Sequence, residues 1–246
     1  MEGNNDVGLN EKIGTWKAFA SIIVSPGTTF AKLLESPRTW LPSLYLGLVS
    51  LLLTLPLYGK YTEYANYVMT KNSAVQGAVS AQVTNAIVMS TLISIFAGVV
   101  LAPLIGSLIT GALVKLLNLV MGEEAKFKQL WTVTVFSQVP AVVGLLIGNL
   151  LILLSAGGEN IARTMSTGLS AAALVPIGSI SPFLFGFLVK VNIFKVWGLI
   201  LTSLGVAQAF RSRPVKVGAV IVLVWVVVNL VQAYLGQNAI KMLYYN

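Results

Sequence analysis

Four long runs of apolar residues, separated by shorter polar segments, dominate the pattern of the chain. A helix needs about 20 mostly apolar residues to cross the hydrocarbon core of a bilayer. Each of the four runs approaches or exceeds this length and contains no charged residue. We therefore predict membrane-crossing helices at residues 40–58, 86–114, 131–155 and 217–235.

Two shorter apolar pieces, residues 174–189 and 194–210, lie between the third and fourth runs. If both crossed the membrane, the basic cluster at residues 211–216 would be exported, against the tendency of Lys and Arg to stay cytoplasmic. One piece is therefore predicted to complete a set of five spans, and the other to form a short re-entrant or interfacial segment. Charge favours 174–189 as the span, whereas Pro176 and Pro182 disfavour a helix there. Both alternatives stay open.

The sixteen Lys and Arg residues orient the chain. With a cytoplasmic amino terminus and 174–189 as the span, four of them lie outside (Lys60, Lys71, Arg163 and Lys241), which leaves twelve inside. With 194–210 as the span, Lys190 and Lys195 also lie outside, which leaves ten inside. Both versions predict a cytoplasmic amino terminus and an external carboxyl terminus.

An amphipathic segment precedes the first span. Ser25 suits a helix N-cap, Pro26 suits the first helical position, and Phe30, Leu33 and Leu34 share one face. We predict a cytoplasmic juxtamembrane helix along the inner membrane surface. The predicted fold class is an all-α integral membrane protein, a bundle of five transmembrane helices with this helix and one re-entrant or interfacial segment. Its parts are a cytoplasmic amphipathic segment at 1–39, a polytopic transmembrane domain at 40–236 and a short external tail at 237–246.

Composition supports the membrane class. Apolar residues make up 56 % of the chain and charged residues only 10 %, with a mean hydropathy of +0.84. Soluble domains carry about 25 % charged residues, so most side chains here need a solvent other than water. The net charge of +8 is not gathered on a polar domain that could bind nucleic acid. We therefore expect a multi-pass protein of the cell membrane with no nucleic-acid partner.

The residues that carry catalysis or metal binding are scarce. The chain has no Cys and no His, which excludes thiolate or imidazole metal sites and a Ser–His nucleophile. All eight Asp and Glu residues lie outside the apolar runs, so a proton relay at membrane depth has no carrier. There is no Walker loop. We predict no catalytic residue, no cofactor and no metal site.

Small residues recur every four positions along the second run. The stripe consists of Ala86, Ser90, Ser94, Gly98, Ala102, Gly106 and Thr110, and the third run adds Gly144 and Gly148. Small residues at this spacing let two helix backbones approach closely in a membrane. The stripe is therefore predicted either to pack within the bundle or to dock the helix of a partner.

Polar amides lie inside the apolar runs, and three of them are candidate site residues: Asn149, Asn229 and Gln232. Asn229 and Gln232 are three positions apart and share a helix face. In lipid such amides hydrogen-bond across helices, so they are predicted to hold the bundle together. The alternative is a binding site for a polar substrate.

Short motifs in a fixed order give the chain a family resemblance. They are Ser25-Pro26 with Phe30 and Leu33, the segments PRTWLP at 37–42, FKQL at 127–130, SQVP at 137–140 and NIFKVW at 192–197, and Gly205. On these motifs, from Ser25 to Leu235, the chain resembles the Yip family of membrane proteins, named for interaction with Ypt/Rab GTPases. It is similar to the bacterial, YknW-like branch.

The resemblance implies five spans, a cytoplasmic amino terminus, and 194–210 as a true span. It also implies an accessory role beside a MacAB-like ABC exporter, including protection from a membrane-active peptide toxin. The expected partners are other integral membrane proteins, such as the permease subunits of an ABC exporter, and the lipid bilayer.

Three functional hypotheses follow. The first is a non-catalytic accessory or assembly protein of a membrane complex. The second is a passive channel or permease, and the third is a stand-alone membrane immunity or lipid-interacting protein.

Overall fold

The computed structural model describes residues 13–76 and 80–244. The first twelve residues of the predicted cytoplasmic segment and the last two of the predicted tail lie outside this range. Within it the chain is helical and contains no β-strand, which confirms the all-α class. The helices are α1 (Thr15–Val24), α2 (Pro26–Glu35), α3 (Trp40–Thr54), α4 (Tyr58–Gln76), α5 (Ala81–Val120), α6 (Phe127–Phe136), α7 (Val139–Leu154), α8 (Gly158–Thr167), α9 (Pro182–Lys190), α10 (Ile193–Ala209) and α11 (Pro214–Tyr244).

The four long apolar runs are confirmed as long helices. In the described residues, four helical stretches are long and apolar enough to cross a membrane: Trp40–Lys71, Ala81–Val120, Phe127–Leu154 and Pro214–Lys241. The first passes from α3 to α4 through a 3₁₀ turn at Leu55–Leu57, which contains Pro56. The third is interrupted between α6 and α7. At 40 residues, α5 is about 60 Å long, twice the thickness of the hydrocarbon core.

Residues 174–189 do not form one continuous helix, as the first of the two alternatives requires. Ala171–Leu174 is a 3₁₀ turn, and helix begins again only at Pro182. The Ser181 hydroxyl caps α9 by accepting from the Leu184 amide at 3.3 Å. Proline is well suited to the first position of a helix but not to its interior, so the chain starts α9 at the second proline. At nine residues, α9 is about 14 Å long.

The second short apolar piece is a continuous helix, α10, and it continues the path of α9. Gly186 of α9 packs against Ala233, and Ser203 of α10 lies 3.4 Å from the Cβ position of Gly218. Residue numbers rise along α9 and α10 while they fall along α11. Helices α9 and α10 therefore contact α11 one after the other, and residues 191–192, here called the helix break, separate them.

The amphipathic segment forms a hairpin of α1 and α2 that packs on the bundle. Its ends meet where Arg38 Nη1 donates to Thr15 Oγ1 at 3.2 Å. Phe30 and Leu33 are fully buried, and the Phe30 ring lies over Gly205 of α10. The apolar face predicted for the membrane surface thus covers protein instead. Helix α2 begins at Pro26 as predicted, but the Ser25 side chain does not cap it.

Two hydrophobic clusters lie at opposite ends of the bundle. The inner cluster joins the hairpin to α6, α10 and the start of α11, and its centre contains Phe30, Leu130, Phe136, Leu201 and Val206. The outer cluster joins α4, α8, the first half of α5 and the end of α7 through Leu57, Tyr61, Ala65, Leu92, Ile152 and Ile161. Helices α5 and α7 contribute to both.

Candidate functional site

Helix α5 packs through a face adjacent to the small-residue stripe. Its buried residues are Leu92, Pro103, Ser107, Gly111, Val114 and Asn118. Pro103, Ser107 and Gly111 each follow a stripe residue by one position, which is about 100° around a helix. The face meets a row of buried small residues on α3 that sequence reasoning missed although the spacing was visible: Ser43, Gly47, Ser50 and Thr54.

Ser107 joins three helices at this face. Its hydroxyl accepts from Trp131 Nε1 at 3.0 Å and lies 3.5 Å from the Ser43 hydroxyl. Its carbonyl accepts from Thr134 Oγ1 at 2.8 Å. The cluster satisfies polar groups that lipid would leave unpaired, and it ties α3 and α6 to α5.

The predicted stripe itself stays open. Ser94, Gly98, Ala102 and Thr110 are exposed and Gly106 is half-buried. A Cβ atom at Gly98 would have no neighbour within 4 Å, and one at Gly106 would approach only Gln138 Nε2, at 4.0 Å. The stripe is therefore not the face through which α5 packs, and its docking role stays a prediction.

Six of the predicted site residues line one cavity of about 620 Å³, here called the groove. They are Ser94, Gly98 and Ala102 on α5, and Gly144, Gly148 and Asn149 on α7. The end of α8 and the helix break close the opposite side. Gly144 lies under the ring of Phe194, whose Cδ2 would be 2.8 Å from a Cβ there, and Gly148 faces Leu169. Gly144 on α7 thus allows Phe194 of α10 to pack closely, whereas no described residue packs against Gly98 on α5.

Asn149 lines the groove and hydrogen-bonds to two neighbouring helices. Its Oδ1 accepts from the Tyr61 hydroxyl at 2.9 Å. Its Nδ2 donates to the Leu53 carbonyl at 3.0 Å and to Thr54 Oγ1 at 3.3 Å. These bonds link α7 to α3 and α4 on both sides of the 3₁₀ turn.

A second cavity, of about 270 Å³, is lined by three of the remaining four predicted residues, all except Gly106. Thr110 of α5 lines it opposite Asn229 and Gln232 of α11, which share a face. Asn229 is buried, and its Nδ2 donates to the Trp225 carbonyl of its own helix at 2.7 Å. It therefore makes no helix–helix hydrogen bond there. Lys195 of α10 lines both this cavity and the groove.

The helix break is built from backbone and side-chain hydrogen bonds. Ser170 and Asn192 form an isolated antiparallel bridge, and the Ala171 amide donates to the Val191 carbonyl at 2.8 Å. Asn192 Oδ1 accepts from the Phe194 amide at 2.8 Å and so caps α10. The unwound residues keep backbone partners, as a broken helix in a membrane requires.

Sequence reasoning missed the residues at this break, above all Lys190, Asn192 and Lys195, all of which line the groove. The signal that could have found them was two lysines bracketing a short polar interruption between two apolar pieces. No Asp or Glu lines the groove, and among the described residues no group of acidic side chains could hold a metal. The arrangement offers cations, amides and hydroxyls, which suit binding.

The chain matches one known domain family over most of its length. The Yip1 domain matches residues 20–236. No curated protein and no solved structure matches the chain closely enough to count as a relative.

Proposed function

The chain belongs to the Yip1 domain family, whose members are non-enzymatic membrane proteins, and on that premise we propose that it is an accessory or assembly protein of a membrane complex. Its long apolar helices place it in contact with the lipid bilayer. Its work is then to bind other integral membrane proteins within the membrane.

The proposed topology has five crossings in the cell membrane. Four are the long helices, and the fifth is α9 and α10 together, which follow α11 along much of its length. Lys190 and Lys195 then lie within this crossing, and of the other fourteen cations ten lie inside and four outside. The amino terminus and the hairpin are cytoplasmic, and the carboxyl terminus is external. Gln208 Nε2 supports this arrangement, because it donates to the Gly27 carbonyl at 2.9 Å and so sets the end of α10 beside the hairpin.

The exposure of the stripe on α5 carries the proposal. Helix association in lipid depends on close backbone approach through small residues. If every small-residue face were buried within the bundle, no such face would be available to the helix of a partner. Here α5 packs through Ser107 and Gly111, while Gly98 and Ala102 remain uncovered at membrane depth. A partner's helix can approach α5 along this open face.

The proposed partners are permease subunits of a MacAB-like ABC exporter, and the proposed benefit is resistance to a membrane-active peptide toxin. The support is the resemblance to the bacterial, YknW-like branch on the motifs given above. An exporter needs spanning helices in contact with its accessory subunit, and the stripe offers a surface of that kind.

Substitution of Gly98 tests the proposal. Gly98→Leu fills the stripe with a large side chain at a position where nothing lies within 4 Å of the Cβ. Ala97→Leu is the matched control, because Ala97 is exposed one position off the stripe. After purification in mild detergent, Gly98→Leu is expected to lose the co-purifying membrane partner while its melting temperature is kept, and Ala97→Leu to keep both. Equal partner recovery from both variants would contradict docking on the stripe.

A further inference from the structure

We propose that the groove binds an anionic phospholipid, with the phosphate held at the helix break by Lys195 and Lys190 and an acyl chain lying along the stripe on α5. The acyl chain and a docked partner helix would share Gly98 and Ala102, so the lipid assignment is tested on the protein without its partner and does not rest on partner docking.

The position of Lys195 calls for an anion. Lys195 is some four turns from Phe210, the C-cap of α10, so it lies about 22 Å from the inner end of the helix. The hydrocarbon core is about 30 Å thick, which puts the residue within it, toward the outer side. A charged side chain at such depth is costly unless it is paired or hydrated. Lys195 is exposed, and no carboxylate among the described residues lines the groove, so a bound anion would be its counter-ion there.

The break adds a second source of positive potential. Helix α10 starts here, and the amide hydrogens of a first helical turn have no partners within the helix. Asn192 Oδ1 occupies only the Phe194 amide. The positive end of the helix dipole therefore points to the same place as the two lysines. Broken helices in transporters bind anionic groups in this manner.

The rest of the groove fits the apolar part of a lipid. Its opening lies at membrane depth, because Ser94, Gly98 and Ala102 are exposed on the apolar stretch of α5. A volume of about 620 Å³ falls within the usual range of roughly 300–1,000 Å³ for ligand sites. Glycine and alanine leave room for a chain that passes from the bilayer into the groove. A ligand that arrives through lipid and carries a negative charge is an anionic phospholipid.

Lipid titration of the purified full-length protein tests this assignment. Native mass spectrometry in detergent counts bound phosphatidylglycerol and, as the neutral-headgroup comparison, phosphatidylcholine with the same acyl chains. Wild type is expected to retain one phosphatidylglycerol in preference to phosphatidylcholine. Lys195→Gln should weaken retention roughly tenfold, as expected for loss of a charge-assisted hydrogen bond. Lys195→Arg should restore it, and Lys190→Gln should weaken it as a second, independent variant.

Lys216→Gln is the control, because Lys216 is exposed at the start of α11, away from the groove. It should leave lipid retention unchanged. Equal retention of both lipids, no loss in either Lys190→Gln or Lys195→Gln, or an equal loss in Lys216→Gln would overturn the assignment. Displacement of the lipid by millimolar glycerol phosphate would show that the site takes a free phosphate, and it would equally overturn a lipid ligand. Co-purification of the partner should survive Lys195→Gln, so the lipid and partner proposals can fail separately.

Discussion

Gly47 of α3 lies directly against the backbone of Val100 in α5, so that the two helices touch main chain to main chain. A Cβ atom at Gly47 would overlap the Val100 carbonyl group. We expect Gly47→Ala to push the helices apart and to lower the free energy of unfolding by about 1–3 kcal/mol, the usual effect of overpacking a core. The measurement is the melting temperature in detergent.

Gly98→Ala is the matched control for this change, since its added methyl group meets nothing within 4 Å. Alanine is a better helix former than glycine by about 1 kcal/mol, so this variant should be as stable as wild type or more so. A melting temperature that falls equally in both variants would contradict the close contact between α3 and α5 as the cause of the loss.

Replacement of Ser107 by Ala should loosen the joint between α3, α5 and α6. Alanine adds no atom to the site but cannot accept from Trp131 Nε1, which now donates to the hydroxyl at 3.0 Å. Hydrogen bonds between membrane helices average about 0.6 kcal/mol and reach about 1.7 kcal/mol, and we expect a loss within that range. Ser90→Ala is the control, because Ser90 is exposed and bonds only to its own helix. Equal stability of the two variants would contradict the role of Ser107.

Asn149→Leu should destabilise the outer end of the bundle. The change removes three hydrogen bonds to α3 and α4 and leaves the Tyr61 hydroxyl without its acceptor. A buried donor left unpaired costs about 1–3 kcal/mol. Asn229→Leu should cost less, because Asn229 bonds only within its own helix. The measurement is the melting temperature of each variant in detergent, which should fall further for Asn149→Leu than for Asn229→Leu. A larger fall for Asn229→Leu would contradict the role given to Asn149.

Phe30→Ala should separate the hairpin from the bundle. The ring is fully buried and covers Gly205 of α10, so its removal should cost about 3–5 kcal/mol. Trp16→Ala is the comparison, since Trp16 is 61 % exposed although it stacks on Tyr45 at 5.2 Å. Limited proteolysis should cut the Phe30→Ala hairpin first. If the hairpin instead rests on the membrane surface, both variants should resist protease to the same extent.

The absence of cysteine makes single-cysteine labelling a clean test of topology. A membrane-impermeant maleimide applied to intact cells should label Ala156→Cys and Ser181→Cys, which lie before α8 and at the start of α9. It should not label Glu124→Cys or Arg213→Cys, which lie in the loops after α5 and α10. Labelling of Arg213→Cys from outside would show that α9 and α10 do not cross together.

The four long helices could be predicted from the sequence because length and hydropathy alone decide them. A run such as 86–114 is long and uncharged enough to form a membrane-crossing helix whichever helices pack beside it. The broken helix could not be predicted in this way. The apolar pieces at 174–189 and 194–210 each look like a separate segment, and only their shared register along α11 shows that α9 and α10 form one path.

The packing face of α5 is the second feature that could not be predicted from the sequence. Small residues permit close approach, but they do not state which helix approaches. The stripe through Gly98 and the face through Ser107 are both rich in small residues, one position apart. Helix α5 packs through the Ser107 face because a row of small residues around Gly47 on α3 fits against it. This fit involves two separate segments of the chain, so the sequence of α5 alone does not show which of its faces is buried.

Helix α5 can transmit motion between the two hydrophobic clusters, because it contributes residues to both. It is one continuous rod of about 60 Å, with Leu92 in the outer cluster and Val114 in the inner cluster. Its pivot is the tight seam around Val100 and Pro103. A tilt of about 5° about this pivot moves each end by roughly 2.6 Å, about half the height of one helical turn. A shift at one end of α5 can therefore reach the other end mechanically, with no relay of side chains between them.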